Sequence, residues 1–334
     1  MVDQHKALVL APMRGPGFEA LKALADVVYE PFIEQKPLRL YSDEQLAERV
    51  RTEGATIVVC EGDRVGPHTL DLEPVVIGAT RGDPTNVDVA AATERGVPVL
   101  HAPGRNADAV AELTVGLLFA AVRHIVAADG DVRAGETYRD GTIPYQRFRG
   151  WEINGRTAGI VGYGAIGRAV AWRLEGLGMR VIAFDPYAAE ATYPLDDLLA
   201  EADVVSMHAP VTPETMQMIG EEQFARMKPG AIYLNAARAA LHDMDALVSA
   251  LQSGHLAGAG LDHFEGEVLP PDSPLAKLPN VVLTPHIGGA SYNVEANHAQ
   301  MMADGIAAIL RGEKPTNCIN PETLTQRQSC GGDA

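Results

Sequence analysis

Short β-branched runs alternate with longer amphipathic stretches along most of the chain, the pattern of an α/β architecture. Near the N-terminus it predicts a strand at residues 7–10, a helix over 17–29 and a second helix over 42–51, with Ser42 as N-cap and Glu44 and Gln45 close behind. Further strands are predicted at Ile57–Cys60, 74–77 and 98–100, so that this region builds one small α/β domain ending near Pro103. Residues 108–128 are apolar around most of a helical circumference and read as one long buried helix, naturally placed at a junction between domains. The aromatic and polar stretch 141–151 reads as a connecting loop.

From Thr157 the rhythm becomes regular. Strands are predicted at 158–161, Arg180–Phe184, 203–208, Ala231–Asn235, 257–261 and 281–284, with helices over 166–177 and Met244–Gln252 between them. Six short strands with intervening crossovers fit a doubly wound parallel sheet. A last helix over 292–309 is long enough to pack back across the first domain, and the polar tail from about Asn320 is expected to fray.

Length and charge narrow the function classes. A chain of 334 residues is expected to form two domains. Its net charge of −17 disfavours nucleic acid or anionic membrane as partner, and any anionic substrate then needs local positive charge. No basic segment followed by an apolar run opens the chain, and no apolar stretch reaches about 18 residues, so neither a signal peptide nor a transmembrane helix is expected. Three cysteines, Cys60, Cys318 and Cys330, lack metal-knuckle spacing and suit a reducing cytoplasm.

The most specific local signal is Gly162-Tyr163-Gly164-Ala165-Ile166-Gly167, a GxGxxG turn between an apolar strand and an amphipathic helix. Gly162 can supply the tight turn, Gly164 can admit a pyrophosphate close to backbone, and Gly167 can let helix and sheet approach. Helix N-terminal N–H groups then face the diphosphate. Asp185, at the end of the next strand, can accept both ribose hydroxyls and would repel a 2′-phosphate, which favours NAD over NADP.

Ligand crevices in such sheets lie outside the carboxyl ends of the strands. His208, Asn235 with Arg238, Asp262 with Glu267, and His286 stand at such ends. Hydride transfer to an oxo group needs a proton donor, because alkoxide does not accumulate near neutral pH, and histidine is best matched to that exchange. A carboxylate can hold the ring, and an arginine can hold a substrate carboxylate in its planar fork. His286, Glu267 and Arg238 satisfy these roles in principle, while spacing alone leaves open whether they converge. Arg238 as a surface ion pair, Glu267 as a solvated loop acid and His286 as a capping residue are the alternatives. His208 reads as structural or cofactor-facing, His242 and His255 as ordinary helix and turn residues, and Cys60 as a small core residue. No spacing resembles HExxH or a cysteine metal site, and hydride transfer needs no metal, so none is expected.

Across about residues 75–322 the chain resembles the D-isomer-specific 2-hydroxyacid dehydrogenase family, in its phosphoglycerate dehydrogenase-like form. The stretches that carry the resemblance are NVDVAAATERGVPVLHAPGRNADAVAELTVGLL, TAGIVGYGAIGRAVA, HAPVTPETMQMIG, LNAARAALHDMDAL, GAGLDHFEGE and LTPHIGG. The resemblance implies Arg238 as substrate-binding arginine, Glu267 as the carboxylate orienting the catalytic histidine, His286 as acid/base and Asp262 near the nicotinamide amide. It places the cofactor among Gly162, Tyr163, Gly164, Ala165, Ile166, Gly167, Asp185, His208, Pro210, Thr215, Ala236, Arg238, Asp262, His286 and Gly288. It also implies a flavodoxin-like substrate domain from 1–103 and 292–320, a Rossmann NAD domain over 104–291, a flexible tail over 321–334, and a homodimer formed through the nucleotide domain. The implied activity is NAD-dependent interconversion of a D-2-hydroxy acid and its 2-oxo acid. Formate- or phosphite-type dehydrogenases and NAD-sensing corepressor-like proteins share the scaffold and are the alternatives.

Several positions depart from the family pattern. Arg81 and Asp83 in ATRGDPTNVD stand near usual glycine positions, and the first-domain loop is CEGDRVG. Ala239 follows Arg238 where glycine is usual, and His263 replaces the commoner valine after Asp262. Cys60, Glu61, Gly62, Arg81 and Gly82, with Arg238, are therefore the candidate substrate contacts. Arg81 either reads a second polar or anionic group or pairs with Asp83.

Overall fold

A computed structural model of the chain describes residues 5–325. The described residues divide into two compact units, one running up to Arg105 and resuming at Ser291, the other Asn106–Ala290.

The first unit is built on a five-stranded parallel sheet: β1 (Lys6–Val9), β2 (Asp26–Tyr29), β3 (Ile57–Cys60), β4 (Val76–Ala79) and β5 (Val99–Leu100), in the order β2-β1-β3-β4-β5. That is the flavodoxin-like order. Helices α1 (Gly15–Leu24), α2 (Asp43–Glu53), α3 (Pro67–Leu70) and α4 (Val89–Glu94) connect the strands. At the start of α2 Ser42 and Gln45 form a reciprocal capping box, the side-chain oxygen of each accepting from the other's backbone N–H. The single helix expected over 17–29 is in fact α1 followed by β2. Ala25 is extended, and the Asp26-Val27-Val28-Tyr29 run, with its two valines, pairs in parallel with Lys6–Val9.

The second unit holds β6 (Thr157–Val161), β7 (Arg180–Phe184), β8 (Val204–Met207), β9 (Ala231–Asn235), β10 (Leu256–Leu261) and β11 (Val281–Leu283). All pair in parallel, in the order β11-β10-β9-β8-β6-β7. Their helices include α5 (Ala107–Val122), α6 (Ile125–Ala134), α7 (Pro144–Arg147), α8 (Ala165–Gly176), α9 (Leu195–Glu201), α10 (Glu221–Arg226) and α11 (Met244–Gln252). The winding reverses between β6 and β8, which makes their carboxyl ends the topological switch point. Two residues of β8, Val205 and Met207, join Val161 and Tyr233 in one apolar core, and Ile160, Val204 and Leu234 line another core that takes in α5 and α8.

The long helix expected over 108–128 is broken. His124 takes a left-handed conformation (φ 53°), and α5 and α6 meet at 63°. Within this unit α5 is buried through Val110, Ala111, Thr114, Leu117, Leu118 and Val122, whereas α6 exposes Ile125, Val126 and Val132. The loop expected over 141–151 contains the one-turn helix α7. Among the described residues no single helix is long and apolar enough to cross a membrane.

The long helix α12 (Tyr292–Leu310) belongs to the first unit. Its Ala299, Met302, Ala303 and Ile306 join Ala7, Val9, Phe18 and Leu21 in that unit's core. Asn320, expected to begin a frayed tail, is instead buried. Its side chain accepts from Val99 N at 2.8 Å and donates to Val97 O at 2.9 Å, closing the edge of the sheet near β5. Thr323 is fully buried as well. Residues 326–334, including Cys330, lie outside the described residues.

Candidate active site

The glycine turn at the end of β6 has the geometry a diphosphate needs. Gly162 has φ 92°, a left-handed conformation that suits glycine, and a Cβ there would stand 2.4 Å from the backbone of Ala209 after β8. The turn is therefore pressed directly against the neighbouring strand end at the switch point. A Cβ on Gly167 would sit 2.1 Å from Gly162 O, so α8 starts as close to the turn as backbone permits. Gly164 differs: it is exposed, and open space lies where its Cβ would be. At this position a missing side chain clears room for something other than the protein. The first-turn N–H groups of α8, from Ala165 and Ile166, have no intrahelical acceptor and point out of the helix start. An open glycine beside free N–H donors fits the pyrophosphate of a dinucleotide.

Asp185 stands one residue beyond β7. Its Oδ2 accepts from Tyr163 N at 2.7 Å and its Oδ1 from Tyr187 N at 2.8 Å, which ties the turn to the strand end and fixes the carboxylate plane. Each oxygen keeps a second lone pair for a ribose hydroxyl. Arg168, in the first turn of α8, is engaged by both carboxylate oxygens of Glu190 at 2.9 and 3.1 Å and lies over the Tyr163 ring.

At the end of β8, His208 bonds Ser206 Oγ through Nε2 at 2.7 Å, and burial pushes its pKa well below the usual histidine range. Thr215 turns its hydroxyl onto Pro210 O at 2.6 Å and so folds the 210–215 loop onto itself. After β9, Ala236 is buried, and Asn235 organises the loop that follows. Asn235 Oδ1 accepts from Ala237 N at 2.9 Å and Arg238 N at 3.2 Å, while its Nδ2 donates to Arg238 O at 2.8 Å. Beneath it lies His242, 3% exposed, bonded to Asn235 Nδ2 and Tyr233 OH. Burial lowers its pKa to about 4, so the ring is neutral at pH 7. The expectation of an ordinary residue at position 242 is thus corrected: it underpins the Arg238 loop. Arg238 is exposed, its guanidinium donates to Ala237 O, and it forms no ion pair among the described residues. The surface-ion-pair reading of Arg238 is thereby removed.

Asp262 is fully buried after β10. Its Oδ1 accepts from Thr284 Oγ1 at 2.6 Å and Ile287 N at 2.9 Å, and its Oδ2 from Gly288 N at 2.8 Å. It is the anchor of the loop that carries His286. His286 N also bonds Asp262 O at 2.8 Å.

His286 and Glu267 are brought together. Nδ1 of His286 lies 3.0 Å from Glu267 Oε2, leaving Nε2 as the nitrogen free to exchange a proton. Both residues have left-handed backbones, φ 55° and φ 60°, a strained state for side chains of this kind that tertiary contacts must hold. Against them packs His263, its ring centroid 3.9 Å from that of His286 and its Nδ1 4.0 Å from Glu267 Oε1. Burial first, then the nearby His286 and Arg238, lower the pKa of His263 to about 4. Arg238 follows β9 and His263 follows β10, which pair in parallel, so the two residues stand past the carboxyl ends of neighbouring strands. In the sequence His263 stands out only as a departure from valine. The HxxxE spacing from His263 to Glu267 was the signal that could have linked them.

In the first unit, Glu61–Gly62 and Arg81–Gly82 follow the paired strands β3 and β4 and so stand side by side at one end of that sheet. Glu61 pairs with Arg105, whose other nitrogen lies 2.7 Å from His298 Nδ1. Gly82 O bonds His101 Nδ1 at 2.8 Å. Arg81 forms no ion pair among the described residues, with Asp83 or otherwise. Cys60 is corrected as a substrate contact: it is fully buried in β3, its Sγ accepts from Asn86 Nδ2 at 3.4 Å, and burial raises its pKa. A central parallel strand is covered on both faces, which leaves that thiol no route to a ligand.

A sequence profile described as D-isomer specific 2-hydroxyacid dehydrogenase, NAD binding domain, matches residues 115–288. Among curated relatives, a glyoxylate reductase of Korarchaeum cryptofilum is 45% identical over 250 residues, covering 72% of this chain and 75% of the relative. A glyoxylate reductase of Thermofilum pendens is 38% identical over 323 residues, covering 93% of each. Among solved structures, the TT0316 protein of Thermus thermophilus superposes with a TM-score of 0.79 at 38% identity, covering 94% of this chain and 99% of that one. The chain belongs to the D-isomer specific 2-hydroxyacid dehydrogenase family, and it is an NAD-dependent oxidoreductase that interconverts a 2-hydroxy acid and its 2-oxo acid.

Proposed function

We propose that the chain reduces a short 2-oxo acid, glyoxylate foremost, to the hydroxy acid, of D configuration where C2 is chiral, with His286 as the acid/base and NADH preferred over NADPH. The observation that carries the reading is the His286–Glu267 pair at 3.0 Å, past the carboxyl end of the same parallel sheet whose β9 is followed by the unpaired Arg238. The two relatives named glyoxylate reductase support the substrate. Arg238 binds the substrate carboxylate through its planar fork and polarises the oxo group. When bound, the nicotinamide supplies or takes the hydride at C2. His286, protonated and oriented through Nδ1 by Glu267, gives the Nε2 proton to the oxygen on C2; in the oxidative direction the neutral ring takes it back. Glu61, Gly62, Arg81 and Gly82 are proposed as further substrate contacts.

The preference for NADH rests on Asp185, whose fixed negative carboxylate repels a 2′-phosphate, and on Arg168, whose charge Glu190 already engages. The chain is proposed to work as a cytoplasmic homodimer through the second unit. Ile125, Val126, Val132, Tyr138, Ile143 and Tyr145 are all about half exposed or more on the α6–α7 stretch, an apolar surface that a second copy would cover. Light scattering of Val126→Asp tests this: a shift from dimer to monomer is expected, and a monomeric wild type contradicts it.

Initial rates with NADH across 2-oxo acids of two to six carbons, with formate and phosphite tested against NAD, examine the reaction itself. Highest kcat/KM on glyoxylate or a neighbour supports the proposal. Oxidation of formate or phosphite alone, or no turnover with NADH-dependent partner binding, overturns it.

A further inference from the structure

We propose that His263, Glu267 and His286 form a binding site for a zinc-like divalent cation, and that the cation, once bound, shuts off proton exchange at His286. The inhibitory part rests on the role proposed above for His286; the binding part does not.

Three features point to a ligand. First, the donor atoms of the three side chains all lie within 4.8 Å of one another, a His₂Glu set of the kind that borderline cations take. Tetrahedral ligands about 2.0–2.1 Å from zinc stand about 3.3 Å apart, so the donors need converge only by a side-chain adjustment. Glu267 and His286, with side chains 57% and 44% exposed, have the freedom to make it. Second, Nδ1 of His263 is an orphan. The residue is only 4% exposed, yet Nδ1 has no hydrogen-bond partner among the described residues, and it faces Glu267 Oε1 across 4.0 Å. A buried nitrogen without a partner is a standing cost that a metal ion would relieve. Third, His263 cannot turn away readily, since its ring is held against that of His286 at 3.9 Å between centroids.

Coordination has a definite effect on the proton. In the metal-free pair, the neutral His286 ring donates Nδ1–H to Glu267. A cation on Nδ1 requires that lone pair, so the single proton of the neutral ring moves to Nε2. The bound ring then has no free nitrogen to accept a proton from a hydroxy acid, and giving up Nε2–H would leave an imidazolate. The chain would therefore be silenced in both directions. Soft and borderline ions should act this way, whereas Mg²⁺ and Ca²⁺, which favour oxygen ligands, should not.

The test uses tag-free protein stripped with EDTA and desalted. Zn²⁺ binding is followed by calorimetry, and Co²⁺ binding by its tetrahedral absorption bands, neither of which depends on turnover. One ion per chain is expected at this site, and Mg²⁺ should not displace it. Outer-shell changes at metal sites cost about 10–100-fold in affinity, so loss of a direct ligand in His263→Val or His263→Gln should weaken Zn²⁺ at least about 30-fold. In parallel, Zn²⁺ should inhibit the wild type and lose that effect in both variants, each compared with its own metal-free rate. Unchanged binding in both variants, or no binding to the wild type, overturns the site. Binding that leaves turnover untouched overturns the blockade. A wild type that binds zinc through His263 but reduces no 2-oxo acid keeps the site and removes the proposed reaction.

Discussion

Replacing Asp262 with asparagine probes how the loop that carries His286 is held. The buried carboxylate receives three donors: Thr284 Oγ1 and Ile287 N on Oδ1, and Gly288 N on Oδ2. An asparagine oxygen placed at the Oδ1 position keeps the first two. Its NH₂ then meets the Gly288 N–H donor to donor, and the opposite rotamer loses two bonds instead of one. A hydrogen bond to a charged group is worth about 1.5–3 kcal/mol, so the loop should open more easily by about 2 kcal/mol, or about 30-fold. Amide hydrogen exchange reads this directly, because local opening sets the protection of Gly288 and Ile287. Asp262→Asn should lose about 30-fold protection at Gly288 while strands β6 and β8 keep theirs. Since His286 is the neighbouring residue, kcat should fall too, by up to about 100-fold if the ring moves about 1 Å. Protection at Gly288 and kcat both within twofold of wild type would refute the reasoning.

Further outcomes follow from the same geometry. Gly164→Val should leave thermal stability nearly unchanged, since open space lies at its Cβ, but weaken NADH binding more than about 30-fold in a fluorescence titration. Gly167→Val, whose Cβ would meet Gly162 O at 2.1 Å, should instead lower the melting temperature; equal melting of the two variants contradicts the assignment. His242, with a folded pKa near 4 against about 6.5 unfolded, binds its proton more readily in the unfolded chain. Stability is thus full above about pH 6.5 and is lost as pH falls toward 4, by about 2 kcal/mol from this ring between pH 7 and 5. Chemical denaturation at both pH values should show a smaller loss in His242→Gln, and an identical pH dependence would remove His242 as the cause.

Much of the fold was legible because the core strands carry their own signal. Ile57–Cys60, Arg180–Phe184 and Ala231–Asn235 were predicted at their observed limits, as apolar, largely β-branched runs between turn residues. The misses have local causes. Asp26–Tyr29 continues the apolar pattern of α1, and only its pairing with β1 makes it a strand. The break between α5 and α6 rests on one left-handed histidine, His124, with no glycine or proline to announce it. At the site, residue types in order pointed to His286, Glu267 and Arg238. The approach of His286 to Glu267 could not be read, because it depends on Asp262 holding the His286 loop and on positive φ angles at Glu267 and His286. His242 and Asn320 were missed for a related reason: each satisfies buried backbone or side-chain groups that come together only in the folded chain.

The proposed reaction depends on proton transfer by His286, oriented by Glu267. Its most direct test is His286→Ala and Glu267→Gln compared with wild type for 2-oxo acid reduction by NADH, with NADH dissociation constants measured on the same samples. General acid–base catalysis contributes about 10²–10⁴-fold. His286→Ala is expected to lose turnover in that range, Glu267→Gln to lose less, and NADH affinity to change less than about threefold in either. Turnover by His286→Ala within tenfold of wild type would contradict it.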